Sequence, residues 1–222
     1  MAADRRAYLL ATSIVCASLL GCDAPTRPRE QGAYDPTELS DGKLYHWALG
    51  RTIAVFVDPG GQSASSELTR AVARSADVWE AEVYYREFRL RIVQAPGDAD
   101  IIVHYAGAPT RIVVPAGCRD PGVAAGVTYF CVDESDRVMV LPLTSGGSSR
   151  VRMDVRVDPS RLLANQTLEM LVAHEIGHVL GIGSHSGDPG DLMFSVPRVD
   201  VPSADDARTL RVLLHERSEL TL

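Results

Sequence analysis

The chain has 222 residues, 45% of them hydrophobic and 23% charged, enough for one well-packed domain and the wrong composition for a disordered or collagen-like polymer. Its formal net charge of -7 excludes a general affinity for nucleic-acid phosphates, which the protein's own field repels, so no nucleic-acid partner is expected. Of its 6 histidines, three crowd between positions 174 and 185, while its 4 cysteines are scattered.

Arg5 and Arg6 precede an uncharged, largely apolar stretch from Ala7 to Leu20. That stretch is too short to span a bilayer as a helix and suits the core of a signal peptide covering residues 1–21. Leu19-Leu20-Gly21-Cys22 resembles a bacterial lipobox, which implies acylation of Cys22 and a lipoprotein anchored to a membrane of the cell envelope. An ordinary cleaved signal, giving a secreted protein, is the alternative. Cleavage before Cys22 removes Cys16, and lipid consumes Cys22. Cys118 and Cys131 remain and, in an oxidising compartment, are expected to form one disulfide. Residues 22–43 contain Pro25, Pro28 and Pro36 and no hydrophobic period, so they read as a flexible tether. The folded domain is placed at 44–222, beginning at Leu44-Tyr45-His46-Trp47.

The first element expected there is a buried strand from Arg51 to Asp58, stopped by Pro59-Gly60-Gly61. Ser65 or Ser66 can cap a helix whose apolar residues Leu68, Val72, Trp79 and Val83 recur at helical spacing. Phe88, Leu90 and Ile92 alternate with Arg89 and Arg91 as a half-exposed strand, and Asp100 to Tyr105 makes a more buried one. Three β-like runs follow at Val127–Val132, Val138–Leu143 and Val151–Val157; in the last, Arg152, Asp154 and Arg156 are expected to face away from the core. A helix from about Gln166 to Leu180 ends at Gly181, a residue suited to a left-handed cap. Ser203 and Asp206, at capping-box spacing, open a last helix that buries Ala207, Leu210 and Leu214. The order strand, helix, several strands, helix, helix predicts an α+β fold with a twisted sheet covered mainly on one face.

His174-Glu175-Ile176-Gly177-His178 falls inside the penultimate helix. Residues four apart on a helix share a face, so His174 and His178 can offer imidazole nitrogens to one metal ion with Glu175 beside them. Zinc suits neutral imidazoles and tetrahedral geometry. Gly181 lets the chain turn back, and His185 on the returning loop is the expected third ligand. The single histidines His46, His104 and His215 show no partner pattern, and Tyr105 and Tyr129 are expected to pack in the sheet rather than line a cleft.

The run His-Glu-Ile-Gly-His-Val-Leu-Gly-Ile-Gly-Ser-His-Ser-Gly-Asp-Pro-Gly-Asp-Leu-Met, from His174 to Met193, resembles the metzincin metalloproteases, most closely their matrixin branch. The resemblance implies one catalytic Zn2+ held by His174, His178 and His185, Glu175 as general base, and Met193 in a methionine turn beneath the metal. Phe194-Ser195-Val196-Pro197 resembles the matrixin wall segment. The family fold implies a mostly parallel mixed sheet with an antiparallel edge strand, two long helices and a C-terminal helix; Val127–Val132 or Val138–Leu143 would supply the edge on which substrate aligns. Two departures stand out: Ser184 occupies the position usual for the third ligand, with His185 one residue later, and Ser195 stands two residues after Met193 where related branches carry tyrosine. The resemblance implies a zinc endopeptidase acting on peptide or protein substrates as a monomer, with no calcium ligand set assigned. The alternatives are a lipid-anchored, zinc-stabilised binding module without turnover, and a zinc amidase acting on cell-wall material.

Overall fold

A computed structural model of the chain describes residues 33–37, 42–58, 60, 65–108, 112–119, 122 and 124–222. The signal sequence, Cys22 and the side chains of Ser65 and Ser66 lie outside the described residues. The elements are β1 (Arg51–Asp58), α1 (Ser65–Glu80), β2 (Phe88–Val93), β3 (Ile101–Tyr105), β4 (Gly126–Tyr129), β5 (Met153–Val157), α2 (Leu168–Leu180) and α3 (Ala204–His215). The fold is α+β: one five-stranded sheet in the order β2-β1-β3-β5-β4, with three helices. β2, β1, β3 and β5 run parallel, and β4 lies antiparallel to β5 at the sheet edge.

The odd-numbered residues of the central strands point to one face, where Ile53, Val55, Ile101, Val103, Met153 and Val155 meet Leu68, Val72 and Trp79 of α1 and Leu171 and Ile176 of α2. This follows from the period-2 alternation of strand side chains meeting the apolar stripes of two helices. α2 is fixed along its length by indole and phenol donors reaching its carbonyls. Trp79 Nε1 donates to Ala173 O at 2.8 Å, Trp47 Nε1 to Val179 O at 2.9 Å, and the Tyr45 hydroxyl to His178 O. The motif helix is thereby locked into the core.

The opposite face differs from the sequence expectation. It is not left to solvent: the excursion between β3 and β5 folds over it and buries Ile102, Ile112, Tyr129, Leu141, Leu143 and Val151 in a second core. Asp154, expected to face out, is 1% exposed and its Oδ1 lies 3.0 Å from Nε2 of buried His104, whose other nitrogen meets Tyr105 O at 3.1 Å. A polar residue on a covered face needs such a partner. Val138–Leu143 forms no strand. Its backbone changes partners instead, with Met139 N bonding Cys131 O and Leu141 N bonding Val151 O, both at 2.7 Å, and Pro142 has no N–H to extend a ladder. β4 is therefore the edge strand. Val83 lies beyond the end of α1, half-buried against the core.

At the C-terminus, Ser203 Oγ accepts from Asp206 N at 3.1 Å and the Asp206 carboxylate accepts from Ser203 N at 2.9 Å, the expected capping box. Within the expected tether, Tyr34 is tied down: its N–H donates to Thr209 Oγ1 at 3.1 Å and its hydroxyl to Asp206 Oδ1 at 2.7 Å. Cys118 and Cys131 stand as a disulfide pair with Cα atoms 5.9 Å apart. No helix among the described residues is long and apolar enough to cross a membrane.

Candidate metal centre

α2 begins at Leu168 behind Thr167, whose hydroxyl oxygen accepts from Met170 N at 3.2 Å, and ends at Gly181, which adopts φ +118°. Only glycine takes that conformation without strain, and a Cβ here would strike the Tyr45 carbonyl oxygen and come within 3.0 Å of Leu213 Cδ1. The turn sends the chain back so that His185 faces the helix. The ligand atoms of His174, His178 and His185 lie within 4.8 Å of one another, and the cluster can hold a metal ion. Ser184, the residue before His185, is buried and spends its hydroxyl as a donor to Asp35 O.

The histidine tautomers follow from their partners. Nδ1 of His174 meets Leu192 O at 2.8 Å and Nδ1 of His178 meets Ile182 O at 2.6 Å. A carbonyl only accepts, so both Nδ1 atoms carry protons and both Nε2 atoms present lone pairs. These two Nε2 atoms stand 3.2 Å apart. Two bare lone pairs at that range repel unless a cation lies between them, and two tetrahedral zinc ligands at the usual Zn–N length are about 3.3 Å apart. Burial pushes His174 down to about 4, helped by His185 nearby and opposed by the Leu192 bond; His178 falls well below its ordinary value, mainly by burial and then by His174. Both rings are neutral at physiological pH, as metal ligation demands.

Glu175 is 4% exposed on the same helix. Its Oε2 accepts from Thr128 Oγ1 at 2.7 Å, and Thr128 Oγ1 also reaches the Glu175 carbonyl at 3.1 Å. Burial raises the carboxyl to about 7, against the lowering effect of the Thr128 bonds. A carboxyl poised near neutrality can both take and return a proton. Gly126, also on β4, leaves the space that Glu175 occupies: a Cβ there would sit 2.8 Å from Glu175 Cδ.

No family model and no curated protein matches the chain. Met193 is fully buried and packs against the helix at Gly177, where a Cβ would come within 3.1 Å of Met193 Cε and 2.8 Å of Trp79 Cζ2. The turn around Met193 is held by the buried Asp206 carboxylate, which accepts from Leu192 N at 2.7 Å and Met193 N at 3.3 Å. A cavity of about 810 Å³ opens over the three imidazoles and Glu175, walled by Val127 and Thr128 of β4 and by Ser195, Val196 and Pro197. Gln166 Nε2 donates to Pro197 O at 3.2 Å and holds that wall to the start of α2.

Of the residues marked in the sequence, His174, Glu175, His178 and His185 meet at this cavity, while Gly181 and Met193 support it from within the core. His46 bonds Trp47 O and Glu216 O with its two ring nitrogens, both at 2.9 Å, and takes no part. Tyr105 and Tyr129 are buried in the sheet. Sequence reasoning missed Gly126 and Thr128, which act across the sheet edge, and the second role of Asp206, whose capping-box spacing explains only its bond to Ser203.

Proposed function

We propose that the chain is a zinc-dependent endopeptidase of the metzincin type, with its matrixin-like features, anchored to the bacterial cell envelope through lipid on Cys22. The observation that carries the catalytic reading is the facing pair of His174 and His178 Nε2 lone pairs at 3.2 Å with a buried, Thr128-held carboxylate one residue from the first of them. The donor set fits zinc: neutral imidazoles, a third histidine on a glycine-turned loop and no thiolate among the lining residues. When bound, a zinc ion supplies Lewis acidity toward the scissile carbonyl and the attacking water.

The chain's own residues do the rest. Glu175 takes a proton from the water as its oxygen bonds to the carbonyl carbon, and returns that proton to the amide nitrogen as the C–N bond breaks. Thr128 holds Oε2 so that the other carboxylate oxygen is left for this transfer. Among the described residues β4 pairs with β5 along one side only, so its outer side can receive an extended peptide by strand addition beside Glu175. Met193 and Asp206 keep the returning loop, and with it Leu192 O under His174, in place.

The test uses the zinc-loaded protein on an unfolded casein-like substrate. Glu175→Gln is expected to keep one zinc per chain and lose turnover by several orders of magnitude, since the general base contributes about 10²–10⁴-fold by itself. Undiminished cleavage by this variant overturns the assignment. Cleavage of peptidoglycan but of no peptide would turn the reading toward an amidase, and metal binding without turnover on either toward a binding module.

A further inference from the structure

The protein is acidic, with a formal net charge of -7, but the cavity above the histidines is not. Apart from the imidazoles and the buried Glu175, its charged lining residues among the described residues are Arg119 and Arg161. Both are exposed to the cavity and its mouth rather than absorbed into the fold. Arg119 has no ion-pair partner among the described residues, and Arg161 spends only its Nε, donating to Asp158 Oδ2 at 2.9 Å. That bond offsets part of the Arg161 charge and leaves its two terminal nitrogens as donors, with the Arg119 charge uncompensated.

Both arginines are anchored to the approaches of the edge strand. Cys118, immediately before Arg119, is joined to Cys131, two residues past the end of β4. Arg161 closes a 3-10 turn, Pro159–Arg161, capped by Asp158, and Asp158 N–H donates to Ala125 O at 2.6 Å, just before β4 begins. One cation is thus clipped to each end of the strand on which substrate would lie. The walls around them, with Leu163, Val196 and Pro197, are apolar and strengthen charge pairing relative to open water.

We propose that the cleft selects substrates that carry a carboxylate close to the scissile bond, either an acidic side chain or a free C-terminus, and that Arg119 and Arg161 are the specificity-determining residues. The proposal deepens the endopeptidase reading and rests on it. The overall field of the protein works against such a preference at long range, so a preference for anionic substrates has to arise locally.

The experiment compares kcat/KM of the zinc-loaded protein for matched quenched-fluorescent peptides that differ only in Glu or Gln beside the cleaved bond. A second pair has a free or an amidated C-terminus. Wild type is expected to favour the carboxylate member of one pair by about tenfold, the effect of two partly shielded charge contacts, with the ratio shrinking at 1 M salt. In the Arg119→Gln/Arg161→Gln protein the ratio should fall to within about twofold of unity. Which pair shows the effect distinguishes a side chain from a chain terminus. Equal rates within both pairs in wild type, or a preference that survives the double substitution, overturns the proposal. If no peptide is cleaved, the endopeptidase reading fails separately, and fluorescence anisotropy of the same peptides with the Glu175→Gln protein still decides the carboxylate preference: equal affinities overturn it and a tenfold difference lost in the arginine variant sustains it.

Discussion

Gly126→Ala separates the placement of Glu175 from the rest of the metal centre. A Cβ on Gly126 would lie 2.8 Å from Glu175 Cδ and 2.7 Å from Leu171 Cδ1, where packed carbon atoms rest about 3.5–4.0 Å apart. Glu175 and Leu171 both belong to α2, and the bonds from Trp79, Trp47 and Tyr45 to its carbonyls oppose movement of the helix. The strain falls on the Glu175 side chain and on β4, which must part by roughly 0.7–1.3 Å to restore normal contact. Parting by that much breaks the 2.7 Å bond between Thr128 Oγ1 and Glu175 Oε2. A misplacement of about 1 Å at a reacting group costs on the order of 100-fold in rate. The expected result is a fall of about 100-fold in kcat on a peptide substrate, with zinc content unchanged because the atoms nearest that Cβ belong to Glu175 and Leu171 rather than to the imidazoles. Overpacking of about 1–3 kcal/mol should also lower Tm by several degrees in a domain of this size. Initial rates, zinc by atomic absorption and calorimetry on one preparation measure all three. Wild-type turnover would refute the claim that β4 positions the base, and loss of zinc would refute the claim that the base and the ligands are separately supported.

His185→Ala should weaken zinc binding by more than about 100-fold, while Ser184→Ala, which removes only the bond to Asp35 O, should retain one zinc per chain; competition with a chromophoric chelator reads both, and the reverse order would move the third ligand to Ser184. Gly177→Ala opposes two effects: helix propensity favours alanine by about 0.8–1.0 kcal/mol, whereas a Cβ strikes Met193 Sδ first and meets Trp79 Cζ2 at 2.8 Å. The clash should win with a net loss of about 1–3 kcal/mol, seen as a lower midpoint in urea, and a stabilised variant would show that Met193 yields easily. Converting both Cys118 and Cys131 to serine releases a cross-link spanning 13 residues, worth about 3 kcal/mol in the chain-entropy model. Tm should drop by about 6–12 °C, and an unchanged Tm would mean that the pair adds nothing to stability.

Much of this architecture is legible because local and global signals agree. Arg51–Asp58 reads as a strand from its β-rich run and its Pro-Gly stop, and it forms over that span. The His174–His178 spacing places two candidate ligands on one helical face whatever the rest of the chain does, and Gly181 announces the turn that returns His185. Ser203 and Asp206 are visible as a capping box because both partners lie within one turn. Each of these inferences spans a few residues and needs no knowledge of what packs against them.

The illegible parts depend on contacts between distant segments. Asp154 looks solvent-facing by alternation, since its neighbours in sequence carry no sign that Ile112, Leu141 and Leu143 pack over that face and bury it beside His104 of β3. Val138–Leu143 has strand composition, but β propensity describes a fit to a half-buried pleated surface and leaves the partner undetermined; here one end bonds to Cys131 and the other to Val151. The same excursion carries Arg119, Gly126 and Thr128 to the metal centre. Thr128 lies 47 residues from the carboxylate it holds, and Gly126 matters only for the side chain it lacks. A motif helix therefore states which metal chemistry is available, whereas the orientation of the proposed base and the charge of the cleft are set by the edge strand and the loops clipped to its ends. Chains sharing the motif but differing in that excursion should keep the metal and change the substrate.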